Sequence, residues 1–262
     1  MVRVIVTMTT IPSRTSKILP VLQSLIAQTY PYDSLCLYIP KSCVRQNSVY
    51  EFPLDVLELQ KTNKRFQIKQ IECDYGPATK IIPAMKEYSE QKEHPILISV
   101  DDDVLLEQHS IEELVAAHIR NPMAVLGFMG VVDGQFHHAE HVPKEFKVVD
   151  ALGGYRSILY PPMASAGIPL LWQALHEEHQ RKLQRPVIDD DHGLQECEKY
   201  LQISREVVRT NYRCMTHTPE TQLVPYLNIR FLPNIDDGVS SEGNIAPSRD
   251  ITNQFFAQFK MK

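Results

Sequence analysis

Short apolar runs alternate with helically spaced apolar residues through the first half of the chain. Arg3 to Met8 sets Val4 and Val6 toward one side and Ile5 toward the other, the pattern of a strand covered on both faces. The loop Thr9-Thr10-Ile11-Pro12-Ser13-Arg14 follows. Ser16 is then placed to cap a helix whose stripe is Leu19, Leu22, Leu25 and Ile26, ending near Gln28 ahead of Pro31. Leu35 to Ile39, closed by Pro40, reads as a second strand, so this stretch makes a β-α-β unit long enough for a parallel crossover. Residues 41–66 carry no clear pattern. Gln67 to Cys73 reads as a strand, Ala78 to Tyr88 as a helix, Ile96 to Val100 as a fully apolar strand, Ser110 to Ile119 as a helix and Ala124 to Met129 as a strand.

The second half is less regular. Strands are expected at Lys147–Leu152 and Arg156–Tyr160 around Gly153-Gly154, helices at Pro162–His179 and Asp191–Leu201, and a late strand at Glu206–Thr210. Strands alternating with amphipathic helices predict an α/β fold, a mostly parallel mixed sheet flanked by helices on both faces. Neither a repeat nor a low-complexity tract nor a linker divides the chain, so one domain over residues 1–262 is expected.

Composition narrows the class. A 262-residue chain that is 43% hydrophobic and 23% charged can bury a core, which excludes a disordered chain. Its net charge of -5 supplies no global basic field for nucleic acid, and the basic stretch Lys61, Lys64, Arg65 and Lys69 is read as a solvated face. Apolar runs all fall short of the roughly 18 residues that span a bilayer, and Met1 to Thr10 lacks the apolar core of a signal peptide. Five scattered cysteines (Cys36, Cys43, Cys73, Cys197 and Cys214), none in a C-x-x-C pair, are read as reduced thiols rather than as a zinc site, with cytoplasmic location expected.

The chemistry concentrates in acids. Asp101-Asp102-Asp103 follows the buried run Ile96-Leu97-Ile98, and ligands of open α/β sheets collect outside the carboxyl ends of the strands. Adjacent acids repel one another unless a hard divalent cation such as Mg2+ or Mn2+ takes their oxygens, so metal binding is preferred here to a solvated turn. Asp189-Asp190-Asp191 opens a helix, where acids are common as caps. Beside the first triplet it gains a second reading, one cluster holding metal while a carboxylate of the other takes a proton. Asp74-Tyr75-Gly76-Pro77-Ala78-Thr79-Lys80 could present a helix N-terminus to an anion, although Lys80 taken alone reads as a surface lysine. His137, His138 and His141 lie in a polar, loop-like stretch and are read as scattered rather than as a ligand set.

Separated blocks of the chain resemble a GT-A-fold glycosyltransferase of a group found in bacteria, algae and large viruses. Val6-Thr7-Met8-Thr9-Thr10-Ile11-Pro12-Ser13-Arg14 is similar to that group's first strand and nucleotide-facing loop, continued by Leu25-Ile26-Ala27-Gln28-Thr29 and Leu37-Tyr38-Ile39-Pro40. Gly76-Pro77-Ala78-Thr79-Lys80 is similar to its next block, Asp101-Asp102-Asp103 to its D-x-D motif, Gly153-Gly154-Tyr155 to its sugar-side loop, and Asp190-Asp191 to its late acidic pair. A tail like the group's end appears around Asp237-Gly238-Val239-Ser240 and Asn244. His192 and Gly193 follow the late pair where the family usually places an aromatic two positions on.

The resemblance implies a single Rossmann-like GT-A domain, with a nucleotide-binding half over about residues 1–130 and an acceptor-side half and tail over about 131–262. It implies a metal-dependent hexosyl- or deoxyhexosyltransferase moving sugar from a nucleoside diphosphate donor, first a UDP-sugar, to a hydroxyl of a glycan or other acceptor. Asp103 is expected to ligate Mn2+ or Mg2+, and Asp101 to join it or contact the ribose. Thr9, Ile11, Arg14, Asp74, Lys80, Asp102 and Gly154 are expected around the nucleotide-sugar. Asp191 is expected as the base of an inverting attack, because it puts Leu194 at the family's buried apolar position, and Asp190 is the neighbouring candidate. A monomer or weak homo-oligomer without nucleic acid is expected. Two other classes stay open. A phosphohydrolase with an aspartate nucleophile is disfavoured because the first strand ends in Met8-Thr9-Thr10 without an acid, and a non-catalytic carbohydrate- or nucleotide-binding module would need neither metal nor base.

Overall fold

The computed structural model describes residues 2–91, 94–153, 157–182, 190–210, 215–217 and 242–258, with backbone alone at 215–217 and 242–248. Its first half runs β1 (Val4–Met8), α1 (Leu19–Ile26), β2 (Ser34–Pro40), α2 (Leu54–Thr62), β3 (Phe66–Ile71), α3 (Ile82–Ser89), β4 (Ile96–Val100), β5 (Val104–Leu106) and α4 (Ser110–Arg120). Then come β6 (Val125–Gly127), β7 (Met129–Val132), β8 (Gln135–His138), β9 (Phe146–Val148), β10 (Ala151–Leu152) and β11 (Ile158–Tyr160). The remainder is α5 (Pro162–Lys182), α6 (Asp190–Tyr200), β12 (Arg205–Val208), β13 (Met215–His217) and α7 (Glu242–Ala257).

An eight-stranded mixed sheet in the order β3-β2-β1-β4-β11-β6-β12-β9 forms the centre. Strands β3, β2, β1 and β4 are mutually parallel, and β6 and β12 are parallel to each other, while β11 and β9 pair antiparallel with their neighbours. Every residue of β1 and β4 is buried, which is why both read as continuous apolar runs. Helices cover the faces. α5 is the longest, and it buries Ala164, Ile168, Trp172 and Leu175 at helical spacing. It packs on α3 and α6, and α6 packs on α7.

Register builds the functional end. Met8 pairs with Leu37 on one side and with Val100 on the other, so Thr9 and Thr10 leave β1 beside Tyr38 and beside Asp101-Asp102. Antiparallel pairing of Ile158 with Ser99 brings the start of β11 to the same edge.

Three local expectations are corrected. Ser16 is exposed and does not cap α1, whose N-cap is Ile18 without a side-chain hydrogen bond. Pro20 in the first turn fixes the helical φ and removes an N–H that would need a cap. Ala78–Tyr88 is not one helix but a 3-10 turn over Gly76–Lys80 followed by α3, because Pro83 has no N–H to bond back to Thr79. Ala124–Met129 divides between two sheets, β6 in the main one and β7 in the small sheet β10-β7-β8. A side chain at Gly127, where they part, would meet Leu152 Cδ2 at 3.1 Å and the Ser157 carbonyl oxygen at 3.3 Å. The region 41–66, unpatterned in sequence, contains α2 and a hairpin-like Cys43–Ser48 bridge.

Candidate active site

At the carboxyl end of β1, β2 and β4 the β1 exit loop is fastened residue by residue. Thr9 Oγ1 donates to the Tyr38 carbonyl at 2.8 Å, tying the loop to β2. Thr10 is buried and donates from Oγ1 to Asp102 Oδ2 at 2.6 Å, while Arg14 Nη1 donates to Asp102 Oδ1 at 2.8 Å. Ile11 stands between them, half-buried, and its carbonyl accepts from the Arg14 N–H at 2.9 Å. Both oxygens of Asp102 are thus held by one loop, and the middle acid of the triplet is its anchor. Arg14 Nη1 also lies 3.7 Å from Asp103 Oδ2. Burial pulls the Arg14 guanidinium down, yet Asp102, Asp103 and Asp101 outweigh it and hold the charge above its ordinary value.

Asp74 is spent on loop geometry. Its Oδ2 accepts from the Val44 N–H and its Oδ1 from the Gly76 N–H, each at 2.8 Å, and Gly76 takes a φ of 60° that glycine adopts without strain.

Lys80 overturns the surface-lysine reading. Its side chain is 6% exposed, and its Nζ lies 2.8 Å from Asp101 Oδ1 and 3.0 Å from Asp190 Oδ2. The contact to Asp101 is a hydrogen bond, and that to Asp190 is an ion pair without hydrogen-bond alignment. Burial would strip the ammonium of its proton, but Asp101, Asp190 and Asp191 together hold it well above the ordinary lysine range. The two acidic clusters, remote in sequence, therefore meet around one buried cation. Tyr160 of β11 is buried close by, its hydroxyl pushed far up by burial first and then by Glu198, Asp191 and Asp190 against Lys80.

The donor set suits a hard divalent cation. It is carboxylate oxygen throughout. Burial first, then Asp101 and Asp102, push the Asp103 carboxyl up to about 7 against Arg14 and Lys80, so without a further cation its ionised form is disfavoured there. Among the described residues no three His, Cys, Asp or Glu side chains close into a metal centre on their own. One or two carboxylates completed by phosphate oxygens and water is how Mg2+ is commonly held.

The sequence-predicted residues Thr9, Ile11, Arg14, Lys80, Asp101, Asp102, Asp103, Asp190 and Asp191 gather here, and Asp74 holds the adjoining turn. Gly154, Asp189, Cys214 and the Asp237–Ser240 tail lie outside the described residues, and Asn244 falls in α7. Thr10 and Tyr50 were missed. The Tyr50 hydroxyl donates to the Thr10 carbonyl at 3.1 Å and its ring stacks on Phe52, from a region with no periodic signal. Of the histidines noted in the sequence, His137 is met by Lys147 Nζ at 3.1 Å, and His138 lies edge-on to His141. The basic stretch is a face of local pairs, with Lys69 on Glu87 at 2.7 Å and Arg65 over the Tyr32 ring.

One group further along α6 makes stability depend on pH. Glu198 is buried 3.7 Å from Arg205, and burial pushes its carboxyl up to about 8, Arg205 and Lys199 opposing and Asp191 adding. A carboxyl raised from 4.5 in the unfolded chain contributes stability that is complete below that value and is lost as pH rises through about 8. The loss runs at about 1.4 kcal/mol per pH unit. Glu198→Gln is expected to match the wild type near pH 4 and to exceed its unfolding temperature increasingly toward pH 8. Parallel unfolding-temperature curves for the two proteins across this range would refute the assignment.

No protein-family model and no curated protein matches the chain. Among solved structures it is similar to residues 1–349 of S. aureus TarS, with TM-score 0.49 and 14% identity over 82% of this chain and 60% of that one. The same fragment in complex with UDP gives TM-score 0.47 and 15% identity over 81% and 59%. S. aureus TarS gives TM-score 0.49 and 16% identity over 82% of this chain and 36% of that one. The chain thus spans less than two thirds of each of these. Among the described residues no helix is long and apolar enough to cross a membrane.

Proposed function

We propose that the chain is a glycosyltransferase that moves a sugar from a nucleoside diphosphate donor, a UDP-sugar first among them, to a hydroxyl of a glycan or similar acceptor with inversion. The observation that carries this reading is the meeting of the strand-end triplet with the first turn of α6 around Lys80. One cluster serves the donor and the other the acceptor, as a group transfer requires.

Asp103 and Asp101 would hold Mn2+ or Mg2+, which supplies neutralisation of the departing diphosphate. Asp102, gripped by Thr10 and Arg14, fixes the backbone that carries both neighbouring acids. Thr9 and Asp74 shape the nucleotide loops through their bonds to β2 and to the Gly76 turn. Asp190 pairs with Lys80, and Asp191, next to it in the first turn of α6, is the base in this reading. As the acceptor oxygen bonds to the anomeric carbon, the bond from that carbon to the diphosphate oxygen breaks, and the hydroxyl proton passes to Asp191. Attack opposite the leaving group inverts the anomeric configuration.

Isothermal titration of Mn2+ with and without UDP tests the reading, together with UDP release from a panel of UDP-sugars with water as acceptor. Coupled binding of metal and UDP, and release of UDP from at least one donor, are expected. Binding of free sugar indifferent to Mn2+, with no donor turned over, would assign the chain to the non-catalytic class instead.

A further inference from the structure

Lys80 is the only described cation that touches both acidic clusters. A lysine that serves a diphosphate has to present its donors to the ligand, and this one is 6% exposed with carboxylates of two elements on its Nζ. It ends the short turn Gly76–Lys80, whose Thr79 Oγ1 accepts from the Tyr75 N–H at 3.1 Å, so the side chain springs from a fixed base. Asp190 stands in the first turn of α6, where a carboxylate would serve the helix end alone, yet its Oδ2 lies 3.0 Å from Lys80. The helix seats Leu194 and Cys197 in the core, and this ion pair joins its first turn to Lys80.

We propose that Lys80 is a positioning residue that ties Asp101 on the donor side to Asp190 on the acceptor side and so sets Asp191 against the strand-end triplet. The proposal rests on the transfer reading above and goes beyond it, because it removes Lys80 from the nucleotide contacts and makes it the link between the two half-sites. Lys80 also engages one oxygen of Asp101, so its removal releases that oxygen and leaves the metal site at least as electronegative. Catalysis should therefore fall while metal binding is kept or tightens.

The test uses the full chain with Lys80→Met, Lys80→Arg and the double variant Lys80→Met, Asp190→Asn. UDP release from a UDP-sugar is read as kcat and KM, Mn2+–UDP affinity by titration, and unfolding temperature by calorimetry. Lys80→Met is expected to lower kcat by about 10²-fold, the scale of a misplaced reacting group. KM for the donor and Mn2+–UDP affinity are expected to stay within about threefold or to tighten, and Lys80→Arg to restore part of kcat by keeping the charge. The double variant is expected to unfold at a higher temperature than Lys80→Met, because it removes the acid left buried without its cation. A tenfold or larger loss of Mn2+–UDP affinity in Lys80→Met would make Lys80 a donor ligand and overturn the proposal, as would unchanged kcat. Should Lys80→Met fail to fold, the other two variants decide. Lys80→Arg with wild-type KM but reduced kcat, and a double variant that folds, uphold the link, and a double variant that also fails to fold overturns it. If the wild type releases no UDP from any donor, the transfer reading falls. The rise in unfolding temperature from Lys80→Met to the double variant then judges the link alone.

Discussion

Asp191→Asn is expected to lower transfer by about 10²–10⁴-fold, the range general-base catalysis contributes, while Mn2+–UDP affinity stays within about threefold. The expectation follows from the division within the first turn of α6. Asp190 faces Lys80, and Asp191, partly exposed, is close enough to raise the Lys80 proton affinity. Asparagine keeps the shape and the helix start but accepts no proton at neutral pH. Asp190→Asn is the paired control. It weakens the Lys80 link and is expected to shift unfolding temperature as well as rate, whereas in Asp191→Asn the loss of rate is the dominant effect. Wild-type turnover in Asp191→Asn with a dead Asp190→Asn moves the base one residue back. Retention of anomeric configuration in the product, read by NMR, rules out a base in either position, because a single displacement must invert.

Strands that line the site were legible because burial on both faces leaves an unbroken apolar signature, as in Val4–Met8 and Ile96–Val100. Their ends carry the acidic triplet, whose middle member fastens the β1 exit loop through Thr10 and Arg14. Parallel register did the rest, setting Thr9 and Thr10 beside Tyr38 and Asp102. Lys80 was illegible for the opposite reason. In Gly76-Pro77-Ala78-Thr79-Lys80 a terminal lysine looks like a turn reaching into water, and what buries it arrives from Asp101 and Asp190, which local pattern cannot see. Tyr50 was hidden in the same way, as one aromatic in an aperiodic stretch whose hydroxyl finds the Thr10 carbonyl only once the chain has folded. Strands as short as Val104–Leu106 and Gln135–His138 carry too few alternations to register as period two.

Asp103→Asn is expected to reduce metal-dependent turnover by about 10²–10³-fold, since charge stabilisation of a leaving group is worth several kcal/mol and each 1.36 kcal/mol is a factor of ten. It deletes one of the two acids assigned to the cation while sparing Asp102, the acid that Thr10 and Arg14 use to hold the loop. The same change should stabilise the protein in metal-free buffer. The carboxyl of Asp103 is lifted from 3.8 to about 7 by burial and by Asp101 and Asp102, so its contribution is complete below the unfolded value and is lost as pH rises through about 7. At pH 8 in EDTA the wild type carries the full cost of that ionisation, and the asparagine variant carries none of it. Calorimetry at pH 8 should therefore show the variant unfolding at the higher temperature in EDTA, and the order reversing when Mn2+ and UDP are added, because ligand that binds only the native state raises its stability. A variant that unfolds earlier than the wild type in EDTA would give Asp103 a structural role beside Arg14. A variant that keeps full Mn2+-dependent turnover would remove it from the metal site.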